Sequence, residues 1–294
     1  MLLALVAAGC AAPTFPSVPR VANPTEFPEA RTFGIEAGTP VDDRLEPHQR
    51  AWLDQHVVFG MPRGARFDEL ALVVREGYAL AHDPRNKVAR WCAYHLPSRV
   101  LDGLERRHND FLADPELPEH YRAELSDYHG SGYDKGHQCP AGDSKGRGDR
   151  VMSESFYLSN MTPQNPALNR GRWRQLEARI RSWARAHGEV WVITGPVIED
   201  EDGDGYSDHA VGLGEVAVPT GYFKVVVIQG RGADPRAIAF LFPNHRVERL
   251  EEGLTSVDAI EAATGLDLLW ELDDETEARV EAHIETSIPY GPNR

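Results

Sequence analysis

Two short stretches of the sequence concentrate residues that can move protons and bind metal. The segment YDKGHQCPAGD (133–143) contains His137, and SNMTPQNPALNRGRWRQLE (159–177) follows it. A neutral imidazole, with an ordinary pKa of about 6.5, accepts a proton at physiological pH. A lone histidine is more often structural, but the glycine and turn-forming residues around His137 favour an exposed loop. The two stretches therefore predict one site with a histidine base.

Hard oxygen donors accompany this histidine. They are the amides of Asn160 and Asn169 and the carboxylates of Asp134, Asp143 and Glu177. Mg²⁺ prefers such ligands, keeps several waters, and needs only one or two protein oxygens beside substrate phosphate. An activated water, a cation and help for the leaving oxygen are what hydrolysis of a phosphodiester requires. Metal-assisted phosphodiester hydrolysis is therefore the chemistry that these residues favour.

A predicted helix over 171–187 carries an excess of positive charge. Its apolar residues gather on one side at ~100° per residue and predict the core face. One acid, Glu177, stands among six arginines, Arg170, Arg172, Arg174, Arg179, Arg181 and Arg185. A solvated face with Glu–Arg pairs is the ordinary interpretation of such a helix. In a chain of net charge −15, the excess favours a local phosphate-binding surface, because salt screens distant acids over ~8–10 Å.

Hydrophobic patterns predict the elements that position these residues. Strands are predicted at 70–80, 89–96, 155–161, 189–198, 216–228 and 237–244. Helices are predicted at 45–56, 171–187 and 256–265, the last with Ser256 as its N-cap and Gly265 as its stop. The mixed order predicts an α+β fold with a central, mainly antiparallel sheet flanked by helices.

The motifs together resemble a known family. YDKGHQCPAGD, YLSNMTPQNPALNRGRWRQLE, WVITGPV and VAVPTGYFKVVV, in this order, are similar to segments of the DNA/RNA non-specific endonucleases, which are ββα-metal nucleases. The resemblance runs from about residue 57 to residue 275. It implies the ββα-metal fold and a sugar-non-specific endonuclease that depends on Mg²⁺, with Mn²⁺ as a substitute. It also implies DNA and RNA as substrates and 5′-phosphate products.

The resemblance implies a role for each matched residue. The histidine of the family's D-R-G-H motif is the general base, which is His137 here. The asparagine of L-N-[RQ]-G-x-W is the direct metal ligand, which implies Asn169. The following glutamate, Glu177, holds the waters around the metal. Arg181, four positions further on, contacts phosphate, and alignment of the VVREGY strand adds Arg75 as a second phosphate-binding arginine.

The first motif departs from the family pattern at one position. Lys135 replaces the arginine of D-R-G-H, which keeps the charge but loses the planar guanidinium. We therefore expect weaker phosphate contact from Lys135 without loss of the chemistry. Asp134 joins the predicted catalytic residues, and Arg170 joins the predicted phosphate-binding residues.

The N-terminal sequence predicts export. MLLALVAAGCAAP is a short apolar run with small residues before Cys10, the pattern of a bacterial lipoprotein signal. Residues 1–10 therefore predict a signal, a lipid anchor on Cys10, and an envelope, secreted or periplasmic location. Residues 11–46 contain six prolines and predict an extended tether. A nuclease domain over 47–280 and a tail over 281–294 follow, and no stretch reaches the ~18 apolar residues of a transmembrane helix.

Two further cysteines have several interpretations. Outside the cytoplasm, Cys92 and Cys139 could form a disulfide beside the catalytic loop, and two separate buried thiols are the alternative. A zinc site built from these cysteines with His95 and His137 is disfavoured, because neither Cys–His pair has the usual spacing and zinc would occupy the proposed base.

The segment EDEDGDGYSD (199–208) resembles a calcium-binding loop only in part. Asp200, Asp202, Asp204 and Gly205 fit its first positions, but Val211 stands where a bidentate glutamate is expected. A solvated acidic loop is favoured, and calcium binding is the alternative.

A surface lipoprotein that binds nucleic acid with weakened catalysis is the alternative function. That hypothesis predicts damage to the catalytic pair, yet His137 and Asn169 are both present. Nucleic-acid binding by an acidic chain should be modest and sensitive to salt, with little readout of bases.

Overall fold

The computed structural model describes residues 45–64, 70–230 and 234–288. Cys10, the predicted signal, nearly all of the predicted tether and the last residues of the predicted tail lie outside this part of the chain. Within it, no helix combines the length and the apolar character needed to cross a bilayer.

Short helices and strands alternate along the chain. The strands are β1 (Arg63–Gly64), β2 (Ala71–Val74), β3 (Ala79–Asp83), β4 (Val88–Pro97), β5 (Asp134–His137), β6 (Met161–Gln164), β7 (Glu189–Val197), β8 (Ala210–Val211), β9 (Val216–Ala217), β10 (Gly221–Ile228), β11 (Arg236–Pro243), β12 (Leu254–Thr255) and β13 (Leu266–Asp267). The α-helices are α1 (Pro47–His56), α2 (Asp149–Glu154), α3 (Pro166–Leu168), α4 (Arg174–His187), α5 (Val257–Thr264) and α6 (Asp274–Glu281).

A seven-stranded sheet forms the centre of the fold. Its spatial order is β12-β11-β10-β7-β4-β3-β2, and every pair of neighbouring strands is antiparallel. Side chains alternate between the two faces of each strand. One face packs against Leu176, Ile180 and Trp183 of α4. The other packs against Leu53 of α1 and against residues of α5 and α6. The predicted α+β fold with an antiparallel sheet is confirmed.

A ββα unit stands beside this sheet. Strands β5 and β6 form an antiparallel pair, with Asp134 opposite Gln164 and His137 opposite Met161. The chain then enters α3, where the side chain of Asn165 accepts a hydrogen bond from the Ala167 amide at 2.9 Å. A helical segment over Asn169–Trp173, kinked at Gly171, leads into α4. This unit brings both sequence motifs to one place.

Several boundaries differ from the sequence predictions. The predicted strand over 70–80 is two strands joined by a turn, and the one over 216–228 is divided into β9 and β10. The predicted strand over 155–161 is wrong, because a 3₁₀ turn occupies Leu158–Asn160 and β6 begins at Met161. The predicted capping of α5 is confirmed, since Ser256 accepts from the Ala259 amide at 3.1 Å and Gly265 has a φ of 69°.

The predicted disulfide is wrong, because Cys92 and Cys139 are both free and buried. The side chain of Asn160 takes its place in holding the loop. Its Oδ1 accepts from the Cys139 amide at 2.9 Å, and its Nδ2 donates to the Cys139 carbonyl at 2.9 Å and to the Ser155 carbonyl at 2.9 Å. Asn160 is fully buried and is therefore a structural residue of the loop that follows His137.

Candidate active site

His137 ends strand β5 and is enclosed by aromatic rings. Its imidazole makes edge contacts with Phe111, at 5.9 Å between centroids, and with Phe156, at 5.2 Å. Its Nε2 atom has no hydrogen-bond partner in the described chain. Burial lowers the pKa of His137 to about 3, and the positive charge of Arg107 acts in the same direction. The ring is therefore neutral at physiological pH.

Asn169, the predicted metal ligand, is held by Asp134. The Asn169 Nδ2 atom donates to Asp134 Oδ2 at 2.9 Å. Arg170 donates to both oxygens of Asp134, at 2.8 and 2.5 Å. Burial alone would raise the pKa of Asp134, but hydrogen bonds from Arg170 and Asn169 lower it overall. This carboxylate therefore stays charged and engages the amide nitrogen of Asn169, which leaves the amide oxygen to meet a cation.

Glu177 lies in the first turn of α4 beside several charged groups. Burial raises the pKa of Glu177 to about 7, and Asp143 adds to the rise. The positive charges of Lys224, Arg181 and Arg107 oppose it. Arg181 in turn donates to Asp143 Oδ1 at 2.8 Å. Glu177 therefore changes its charge near neutral pH, within reach of three cations.

Lys224 was not among the predicted site residues, although a lysine within an apolar strand is a visible signal in the sequence. It is the one charged residue in strand β10, and it is fully buried. Its ammonium lies 4.6 Å from the centre of the Trp173 ring and donates to the Gln138 carbonyl at 3.4 Å. It also acts on the pKa of Glu177 and of Asp143. Such a charge is costly to bury, and the two carboxylates offset that cost.

Arg107 is a second site residue that the sequence prediction missed. Its guanidinium lies over the Phe156 ring at 5.2 Å, and its charge lowers the pKa of both His137 and Glu177. The residue is exposed. Because the loop that carries it has no apolar period, only the fold shows that Arg107 faces the site.

Arg75 lies in a different environment from the other predicted phosphate-binding residues. It is 5% exposed, and its guanidinium forms ion pairs with Asp114 at 2.7 Å and with Glu116 at 2.9 Å. Lys135 lies closer to the base, with its ammonium 4.9 Å from the centre of the Phe111 ring. Lys135 therefore lies near His137, whereas Arg75 belongs to a buried cluster of ion pairs.

The donor set fits a hard divalent cation. Asn169 offers a neutral amide oxygen whose orientation Asp134 fixes, and Glu177 offers a carboxylate in the following helix turn. Oxygen ligands of this kind suit Mg²⁺ and Mn²⁺. The other proposed donors are engaged elsewhere, since Asn160 binds the Cys139 backbone and Asp143 pairs with Arg181.

Among the described residues, the cysteines and histidines considered for a zinc site do not converge as a ligand group, and the acidic loop forms a cluster of its own. His95 pairs with Glu189 at 2.8 Å, so it is engaged away from the cysteines. In the acidic loop, oxygens of Asp200, Asp202 and Asp204 lie within 4.8 Å of one another. That loop also uses its carboxylates internally, as where Asp200 accepts from the Gly205 amide at 2.9 Å.

The chain is similar to known nucleases. A family model described as DNA/RNA non-specific endonuclease matches residues 65–275. Mitochondrial endonuclease G of Homo sapiens is 37% identical over 216 residues, covering 71% of this chain and 71% of its own length. Nuclease C1 of Cunninghamella echinulata var. echinulata is 36% identical over 229 residues, covering 74% of this chain and 88% of its own. A crystal structure of the EndoG/EndoGI complex has a TM-score of 0.68 at 28% identity, covering 76% of this chain and 94% of that one.

The structural likeness confirms the predicted ββα-metal nuclease fold. The predicted export to the cell envelope is wrong, because several of these relatives carry the word mitochondrial in their names.

Proposed function

Because the chain belongs to the family of DNA/RNA non-specific endonucleases, we propose that it hydrolyses phosphodiester bonds of both DNA and RNA and leaves 5′-phosphate ends. We further propose that Mg²⁺, for which Mn²⁺ can substitute, is its cofactor. The observation that carries the proposal is the ββα unit, which combines a neutral, enclosed His137 with an Asn169 amide oriented by Asp134.

His137 is the proposed general base. A neutral imidazole can take a proton from a water that approaches the phosphorus atom. The rings of Phe111 and Phe156 restrict its rotation. They would also exclude bulk water from one side and orient the imidazole, a role that a carboxylate partner has in other catalytic histidines.

Asn169 is the proposed ligand of the cation. When bound there, the cation would supply Lewis-acid stabilisation of the negative charge that develops on the phosphate. Asp134 fixes the amide so that the oxygen faces the ligand, and Arg170 keeps Asp134 ionised. Glu177, in its carboxylate form, would accept hydrogen bonds from waters around that cation.

Positive side chains on the same side of the unit are the proposed phosphate contacts. Arg181 is partly exposed and is held by Asp143, and Arg107 faces both the base and Glu177. Lys135 adds a point charge beyond the Phe111 ring. Arg170 is 72% exposed despite its bond to Asp134. Contacts to the phosphates, which DNA and RNA share, would let one site accept both nucleic acids.

A hydrolysis assay tests the proposed function. Purified protein is incubated with plasmid DNA and with RNA, in Mg²⁺, in Mn²⁺ and in EDTA. We expect internal cleavage of both substrates with either metal and none in EDTA. We also expect 5′-phosphate ends, because water attacks phosphorus and the 3′ oxygen departs. RNA products with 2′,3′-cyclic phosphate, or cleavage in EDTA, would contradict the proposal. The His137→Ala protein, purified identically, controls for contaminating nucleases.

We expect Lys224→Met to move the acid limb of the pH–rate profile to higher pH. The wild-type rate should fall as the pH drops below about 7, because protonation of Glu177 removes its carboxylate form. Lys224 lowers the pKa of Glu177, so its loss raises that pKa further, by about one to three pH units. Methionine retains the apolar stem of the lysine.

Thr194→Val is the matched control for Lys224→Met. Thr194 is fully buried and lies directly beside Lys224 in the sheet register, but it carries no charge. We expect the control to lose some stability and keep the wild-type acid limb. An unchanged limb in a folded Lys224→Met protein would show that Lys224 does not set the charge of Glu177.

A further inference from the structure

Three carboxylates converge on the face of the sheet opposite α4. Asp258 and Glu261 lie one turn apart on α5, and Glu281 is the last residue of α6. One oxygen from each residue lies within 4.8 Å of the others. The two helices pack on the core cluster that contains Leu53 of α1, whereas α4 packs on the other cluster. This acidic cluster is therefore separate from the active site.

Glu281 shows that the acidic cluster is more than a solvated patch. The residue is 7% exposed, and its Oε1 atom has no hydrogen-bond partner in the described chain. Buried carboxylate oxygens are nearly always hydrogen-bonded or bound to metal, because an unpaired one costs free energy. A cation bound between Glu281 and the two neighbouring carboxylates would satisfy this oxygen.

The charged groups around Glu281 also disfavour an ionised carboxylate at this position. The charged groups that act most strongly on Glu281 are all acids, namely Glu261, Glu277, Asp258 and Asp267. Burial and these acids raise the pKa of Glu281 to about 8. Nearby arginines are engaged elsewhere, since Arg63 pairs with Asp267 and Arg279 pairs with Asp234.

We propose that Asp258, Glu261 and Glu281 bind a hard divalent cation, Ca²⁺ in preference to Mg²⁺, that joins α5 to α6. All three donors are carboxylate oxygens, which suit hard cations. Glu261 is already oriented, because its Oε1 accepts from the Leu268 amide at 2.8 Å. Ca²⁺ accepts irregular sets of oxygens and waters, whereas Mg²⁺ demands a near-ideal octahedron. The cation is structural, because it lies across the sheet from His137.

Thermal unfolding with Ca²⁺ alone tests this proposal. The full chain with Asn169→Ala is used, so that the proposed catalytic metal ligand is absent. A cation that binds only the folded state raises the Tm as its concentration rises. We expect saturating CaCl₂ to raise the Tm by roughly 5–10 °C relative to EDTA, and titration calorimetry to give one site.

Two further variants identify the ligands. In the same background at neutral pH, Glu281→Gln should raise the Tm in EDTA, because the folded wild type must keep this buried carboxyl protonated whereas the unfolded chain ionises it. The same change should abolish the response to Ca²⁺. Asp202→Asn is the matched control in the acidic loop at 200–208, and it should keep the full response. A Tm independent of Ca²⁺ would overturn the proposal. A response that survives Glu281→Gln, or that Asp202→Asn abolishes, would overturn it equally.

Discussion

His137→Ala is expected to lower hydrolysis of DNA and RNA by about a hundred- to ten-thousand-fold, the usual contribution of a general base. The change deletes the proton acceptor but leaves the phosphate contacts in place. Binding of a short duplex in Ca²⁺, measured by fluorescence anisotropy, should therefore change little. The measurements are initial rates on plasmid and RNA, with circular dichroism as the check on folding.

His209→Ala is the matched control for His137→Ala. His209 is exposed and lies just beyond the acidic loop, so the variant should retain the wild-type rate. Within the pH range where the enzyme is stable, His137 should not produce the acid limb, because its pKa is about 3. A folded His137→Ala protein with near wild-type rates would remove His137 from the mechanism.

Asn169→Ala is expected to reduce the rate by about a hundred- to a thousand-fold, comparable to the loss of one group that stabilises transition-state charge. Extra Mg²⁺ should restore little of the lost rate, because the variant loses the position of the cation as well as its occupancy. Titration calorimetry of Mg²⁺ with a bound, non-hydrolysable oligonucleotide gives a readout independent of activity. Wild-type protein should bind the metal more tightly than the variant.

Two neighbouring variants separate metal binding from a merely structural role. Asn165→Ala removes the cap of α3 and should lower the Tm while retaining activity and Mg²⁺ binding. Asn169→Asp adds a charge that tightens metal binding, but the new carboxylate faces Asp134, so the rate should stay below that of the wild type. Full activity of Asn169→Ala at ordinary Mg²⁺ would exclude Asn169 as the ligand.

The sequence was informative where local pattern and local structure agree. Alternating and continuous apolar runs marked β4, β7 and β11, because their side chains pack on the two faces of one sheet. The helix α4 was visible from its apolar stripe and its arginines. The paired motifs around His137 and Asn169 marked the site, because the ββα unit is built from the segments that carry them.

The sequence predictions failed where side-chain hydrogen bonds or distant contacts determine the local structure. The segment 155–161 has the composition of a strand, but Asn160 and Ser155 satisfy backbone groups locally, and the chain turns instead. The sequence could not show that Arg75 meets Asp114, which lies 39 residues away. Nor could it show that Arg107 faces the base, since that contact depends on the path of an irregular loop.

The loop beside His137, the proposed base, is held by the side-chain amide of Asn160. Asn160 makes its hydrogen bonds to the Cys139 backbone where a disulfide had been expected, and burial raises the pKa of both Cys92 and Cys139. Thiols with raised pKa values are poor nucleophiles, so oxidants react with them slowly. The hydrogen bonds that hold the loop around His137 therefore do not depend on oxidation of the two thiols.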